Sequence, residues 1–115
     1  MAEPDLSYAQ KISSSASLLQ GKWTVEILSQ LREGPVRLGQ LKREIPRASK
    51  KALTARLRFL ETAGVIERRD LSGTVLHVEY SLTEAGQKSL IGLLDCLAEV
   101  GALHLTESES RREKA

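Results

Sequence analysis

Only one cysteine, Cys96, stands in these 115 residues, so no intramolecular disulfide can form and a reducing, cytoplasmic compartment is the expectation. Aromatic side chains make up just 3% of the chain, which leaves few platforms for stacking single-stranded bases and disfavours a sandwich or barrel. The two histidines, His77 and His104, have no nucleophile or second ligand at a telling spacing, which removes the usual metal sites and catalytic dyads. No cofactor and no enzymatic activity are expected. Gly21-Lys22 is not a phosphate-binding loop, because Ala16 stands where its first glycine belongs and Trp23 where its Ser or Thr belongs. No apolar run approaches the roughly 18 residues of a membrane span, and Met1–Lys11 has neither the basic nor the apolar region of a signal peptide. No membrane partner is expected.

What the chain does have is leucine, alanine and an uneven distribution of charge. Its length suits one domain, and its composition suits helices. The whole chain carries +2, yet from Arg37 to Arg58 eight basic residues face a single acid, Glu44, a local balance of +7. The remainder sums to −5. A positive field concentrated in one segment is the electrostatic footprint of a phosphate-backbone binder, whatever the overall charge.

That segment contains a helix with two unlike faces. Pro46 biases Ile45 away from the helical region, Ser49 can cap the free N–H groups of a helix over 50–63, and Gly64 can end it. At about 100° per residue Leu53, Leu57 and Leu60 share one face, while Lys51, Ala55, Arg58 and Thr62 share the opposite one. Ahead of it, Leu38, Leu41 and Ile45 mark a short helix over 38–44, preceded by a very short strand at Val36-Arg37. Helix, tight turn and helix with a basic outer face form a helix-turn-helix, whose second helix enters the major groove of duplex DNA.

After Gly64 two extended runs, 65–70 and 75–82, flank the turn Leu71-Ser72-Gly73-Thr74, and in the second Leu76, Val78, Tyr80 and Leu82 alternate with polar residues. This hairpin is a wing. Upstream, Ile12, Ala16 and Leu19 mark a first amphipathic helix, and Trp23, Ile27, Leu28 and Leu31 the stripe of a helix over 22–33 that stops at Gly34-Pro35. Downstream, Thr83 can cap a last helix from Glu84 to about Leu105, with Gly86 and Gly92 as soft spots. On it Leu90, Ile91, Leu93, Leu94, Leu97, Ala98, Val100 and Gly101 span about 180°, wider than one core face requires. Such a helix has two partners, its own domain and a second copy of the chain. The expected fold is mainly α with a small β wing: a winged helix-turn-helix over residues 12–105 with added N- and C-terminal dimerisation helices, an N-terminal arm over 1–11, and a disordered charged tail over 106–115.

Five strings occur in order with fitting spacing: Gly21-Lys22-Trp23-Thr24; Gly34-Pro35-Val36-Arg37-Leu38 with Leu41-Lys42; Ile45-Pro46 leading to Ser49; Leu53-Thr54-Ala55-Arg56-Leu57-Arg58 with Leu60-Glu61; and Val78-Glu79-Tyr80-Ser81-Leu82-Thr83 with Gly86. Together, over roughly residues 12 to 95, they resemble the HxlR-type winged helix-turn-helix regulators. The resemblance implies a prokaryotic transcription regulator that binds DNA as a homodimer through its first and last helices. Members that sense oxidants or electrophiles carry a cysteine just ahead of the first helix, where Gln10 stands here, so that chemistry is not carried over. The family's wing has prolines where this chain reads Asp70 to His77 without one.

Role by role, Lys51, Thr54, Ala55 and Arg58 are the expected base-edge contacts, with Arg58 the candidate for a guanine. Arg37, Ser49, Lys50, Arg56, Arg68 and Arg69 are the expected phosphate contacts. Ile12, Ala16, Leu90, Leu93, Leu94, Leu97 and Gly101 are expected at the dimer interface, and Cys96 is read as a small packing residue. The sequence leaves open a pocket for an unknown small-molecule effector between the DNA-binding body and the dimer helices. The rival reading is a winged-helix protein interaction module without specific DNA binding, against which the +7 segment stands.

Overall fold

A computed structural model describes residues 5–73, 75 and 77–114. Met1–Pro4 of the expected arm, Thr74 and Leu76 of the expected hairpin, and Ala115 lie outside the described residues. The order is α1 (Tyr8–Leu19), α2 (Thr24–Arg32), α3 (Leu38–Glu44), α4 (Lys50–Thr62), β1 (Ile66–Asp70), β2 (Val78–Leu82) and α5 (Glu84–Lys114). This is a winged helix-turn-helix.

The core forms where the apolar stripes of α2, α3 and α4 meet the inner face of the hairpin. Ile27, Leu28, Leu41, Leu53 and Leu60 are fully buried there, with Ile66, Tyr80 and Leu82 from the strands and Leu90 from α5. β1 and β2 pair antiparallel, Arg68 opposite Tyr80 and Arg69 opposite Glu79. Val36, the expected short strand, is an isolated bridge that exchanges two backbone hydrogen bonds with Tyr80, at 2.9 and 2.8 Å. The wing is thus tied to the entrance of α3.

Several boundaries differ from the sequence reading. α1 begins at Tyr8, inside the expected arm, because Ser7 and Gln10 form a reciprocal capping box: the Ser7 hydroxyl accepts from the Gln10 N–H at 3.1 Å and the Gln10 side chain accepts from the Ser7 N–H at 2.8 Å. α2 begins two residues late. Trp23, expected in its stripe, is instead its N-cap in the left-handed region at φ 75°, a conformation costing a non-glycine residue about 1–3 kcal/mol. The Thr24 hydroxyl, fully buried, donates to the Gln20 carbonyl at 2.9 Å and closes that corner.

The largest correction concerns α5. It continues through Lys114, where a disordered tail over 106–115 was expected. The Thr106 hydroxyl donates to the Ala102 carbonyl at 2.9 Å, and beyond Leu105 the helix continues with no apolar stripe left to bury. By length and composition α5 is also apolar enough to cross a membrane, against the expectation that no run approaches that size; Asp95, Glu99 and His104 interrupt the run without offsetting its leucines. Its first turns pack on the body, where Arg32 of α2 holds Asp95 through Nε and Nη2, at 2.9 and 3.2 Å.

Gly86 is not a soft spot. It is buried, and a Cβ there would collide with the Val65 carbonyl oxygen, so the first turn of α5 lies directly on the backbone entering β1. Thr83 completes the joint: its N–H donates to Val65 O at 3.0 Å, its hydroxyl donates to Gly64 O at 2.8 Å, and that same hydroxyl oxygen accepts from the Gly86 N–H at 3.0 Å.

Candidate nucleic-acid interface

α4 starts because Ser49 is extended and its hydroxyl accepts from the Ala52 N–H at 3.0 Å. It stops because Gly64 takes φ 80°, as the sequence suggests. The turn before it has a staple the sequence reading missed. Lys42, in the last turn of α3, donates from Nζ to both Pro46 O, at 2.9 Å, and Ala48 O, at 2.7 Å. A lysine four residues before a proline turn is the signal that was present, but among eight cations it read as one more surface charge.

With Leu53, Leu57 and Leu60 turned inward, α4 leaves Lys50, Lys51, Thr54, Ala55 and Arg58 lining one shallow concavity open to solvent. All four expected base-edge residues are in that set. The Thr54 hydroxyl hydrogen is committed to Lys50 O at 2.8 Å, so its oxygen is left as an acceptor. Ala55 presents only a methyl group, the complement of a thymine methyl.

The expected phosphate contacts divide. Arg37, Lys50 and Arg68 line a second concavity, between α3, the start of α4 and the wing. Ser49 stays exposed at the helix start, its oxygen occupied by the cap and its hydrogen free to donate. Arg69, one step along the strand from Arg68, lies on the other face of the hairpin, where it meets Glu67 at 3.3 Å. Arg56 is drawn away as well: its guanidinium lies 5.4 Å from the centroid of the Phe59 ring and against Gly21, where any Cβ would strike it. The sequence reading assigned Arg56 to a phosphate; its contact with the α1–α2 corner was not visible in the sequence.

The wing has its own order. The Asp70 carboxylate accepts from the Ser72 N–H at 2.9 Å, and the Ser72 side chain first, with this backbone bond second, holds its pKa below the ordinary carboxylate value. Arg37 reaches across from α3 to donate from Nη2 to Nδ1 of His77 at 2.6 Å, while Nε2 of His77 faces Glu79 at 3.1 Å. That geometry requires the neutral ring with its hydrogen on Nε2. His77, without a role in the sequence reading, is a second link between wing and helix-turn-helix, beside the Val36–Tyr80 bridge.

Of the residues expected at a dimer interface, Leu90 is only 2% exposed and belongs to the chain's own core. Leu93 and Leu94 are half-buried against that core. Ile12, Ala16 and Leu97 are exposed, Gly101 is partly so, and Val100, Leu103 and Leu105 extend the open apolar surface beyond them. α1 buries no residue at all. Cys96 is a free, exposed thiol rather than a packing residue of this chain.

The model of the HxlR-like helix-turn-helix family matches residues 18–109. An HTH-type transcriptional regulator of Methanothermobacter thermautotrophicus is 36% identical, over 96% of this chain and 84% of its own. The crystal structure of the HTH-type transcriptional regulator YtcD, a protein of Bacillus subtilis, superposes with a TM-score of 0.74 at 39% identity, covering 88% of this chain and 99% of that one. The redox regulator HypR in its reduced form superposes with a TM-score of 0.79 at 28% identity, covering 87% and 98%.

Proposed function

The chain belongs to the HxlR-like helix-turn-helix family of transcriptional regulators, and from that premise we propose that it binds specific duplex DNA as a homodimer, α4 in the major groove and the wing on the flanking backbone. The observation that carries the reading is the solvent face of α4, where Lys51, Thr54, Ala55 and Arg58 are gathered on a helix whose other face is locked into the core. Arg58 reads a base edge, Lys51 and Thr54 assist it, and Ala55 meets a thymine methyl. Arg37, Ser49, Lys50 and Arg68 hold phosphates and set the register. Arg56 and Arg69, turned elsewhere, are left out of that set. A reducing, cytoplasmic setting fits this reading.

Dimerisation is supported by the apolar surface that α1 and the far part of α5 leave uncovered. The reading requires a two-fold arrangement through these helices that presents both copies of α4 to two half-sites about one helical turn, roughly 34 Å, apart. HypR is a redox regulator, and Gln10 stands here near the place of the family's sensing cysteine, so oxidant sensing is not part of the proposal.

The test is titration of the protein into duplex from upstream of its own gene and into random duplex, at several salt concentrations. Three cations per protomer, doubled in the dimer, predict a slope of log K against log salt of about −5, with tighter binding to the upstream duplex. A flat salt response with a protein partner would overturn the reading in favour of an interaction module.

A further inference from the structure

Between α3, the start of α4 and the wing lies a cavity of about 470 Å³. That is within the range of about 300–1,000 Å³ typical of small-molecule pockets. Its rim is cationic: Arg37, Lys50 and Arg68 stand around it, and Lys42 adds a charge fixed by its two carbonyl bonds. Its wall is not. Leu38, Val78 and Tyr80 line it with apolar surface. No carboxylate is among the lining residues.

A DNA phosphate accounts for the rim and not for the wall. Phosphate and sugar are strongly hydrated and gain nothing from leucine, valine and a tyrosine ring, whereas a flat apolar body does. We propose that this cavity is a binding site for an amphipathic carboxylate, an aromatic or branched apolar body with one anionic head, whose carboxylate takes the cations otherwise available to the DNA backbone. The body lies against Leu38, Val78 and Tyr80, and the head accepts from Arg68 and Lys50. Arg37 is already engaged with His77 and closes one side. Because Lys50 and Arg68 cannot serve a bound carboxylate and a phosphate at once, ligand and DNA exclude each other, and the ligand acts as a releasing signal. This last step rests on the DNA-binding reading; occupancy of the cavity does not.

The probe is 2-naphthoate, titrated into the free full-length protein and followed by its own fluorescence, with 2-naphthalenemethanol and acetate as controls at constant ionic strength. The expected result is saturable binding, about tenfold tighter than for either control, because only naphthoate has both body and charge. Two variants localise it. Arg68→Gln removes a rim cation, and Gly39→Phe narrows the cavity from a lining position where an added Cβ meets nothing within 4 Å and helix propensity rises. Each should weaken naphthoate about tenfold; Arg68→Gln should leave the alcohol unchanged, whereas Gly39→Phe should weaken the alcohol as well. Equal binding of naphthoate and alcohol, absence of saturation, or indifference to Gly39→Phe would overturn the site.

Labelled duplex is then added to the wild-type protein. Naphthoate should release it where acetate at the same concentration does not; equal release by acetate, or none by naphthoate, overturns the signalling role. Failure to bind duplex at any salt would remove the function proposed above together with that role, while the titration on free protein still decides the cavity.

Discussion

The body formed by α2 to β2 and the overhang formed by α1 and the far part of α5 treat their apolar residues in opposite ways. In the body Leu53, Leu57 and Leu60 are sealed and the outer face of the same helix is charged. In the overhang Leu97, Val100, Leu103 and Leu105 stand open, and the charges are those that merely keep a helix in water. Identical residue types on identical secondary structure therefore serve different ends. What separates them is the number of neighbouring elements: α4 has α3 and β1 beside it, whereas past Asp95 only Gly101 of the described α5 residues is even partly covered.

The contrast is sharpest in a pair of truncations. Leu53→Ala should lower the unfolding free energy by about 2–5 kcal/mol, whereas Leu103→Ala should change the stability of the monomer by less than about 0.5 kcal/mol, both read by urea unfolding at low protein concentration. Similar losses would mean that the overhang is folded into the body in solution. Next, Gly86→Ala should cost about 1–3 kcal/mol, because α5 must lift from Val65 to admit a methyl group; a helix-propensity gain with no loss would refute that contact.

On the charged face, Arg58→Ala should weaken cognate duplex by about 1–3 kcal/mol and random duplex hardly at all, while Lys50→Ala should weaken both alike and reduce the salt slope by about 1. On the apolar face, Leu97→Glu should shift sedimentation toward monomer without altering the monomer's melting. The smallest effect concerns the wing. Asp70 has a lowered folded-state pKa, so the order it provides is present above the ordinary carboxylate value near 3.9 and is lost as pH falls through the lower folded value. Amide exchange at Ser72 should accelerate there relative to the intrinsic rate, and Asp70→Asn should remove that pH dependence.

Much of the body was legible because local and tertiary signals agree in it. Ser49, Gly64, Leu53, Leu57 and Leu60 specify α4 by cap, stop and stripe, and all were found in those roles. Where the sequence reading went astray, a contact between distant segments decided the matter. Arg56 points as it does because of Gly21, and Gly86 is a glycine because of Val65. Leu90 belongs to the core rather than to a partner because it sits on the first turns of α5, which the body covers. The Ser7–Gln10 capping box was present in the sequence, but the first helix was read from the stripe Ile12, Ala16 and Leu19, which begins after it.

The joint at Gly86 has a mechanical consequence. α5 is 31 residues long and is held to the body from Gly86, where its backbone bears on Val65, as far as Asp95; the 19 residues from there to Lys114 run free for about 28 Å. A clamped beam multiplies angle into distance: a 10° tilt of that free arm displaces its far end by about 5 Å, more than one base-pair step of roughly 3.4 Å. In the proposed dimer, the angle at which this joint holds α5 therefore bears on the operator spacing that the assembly accepts.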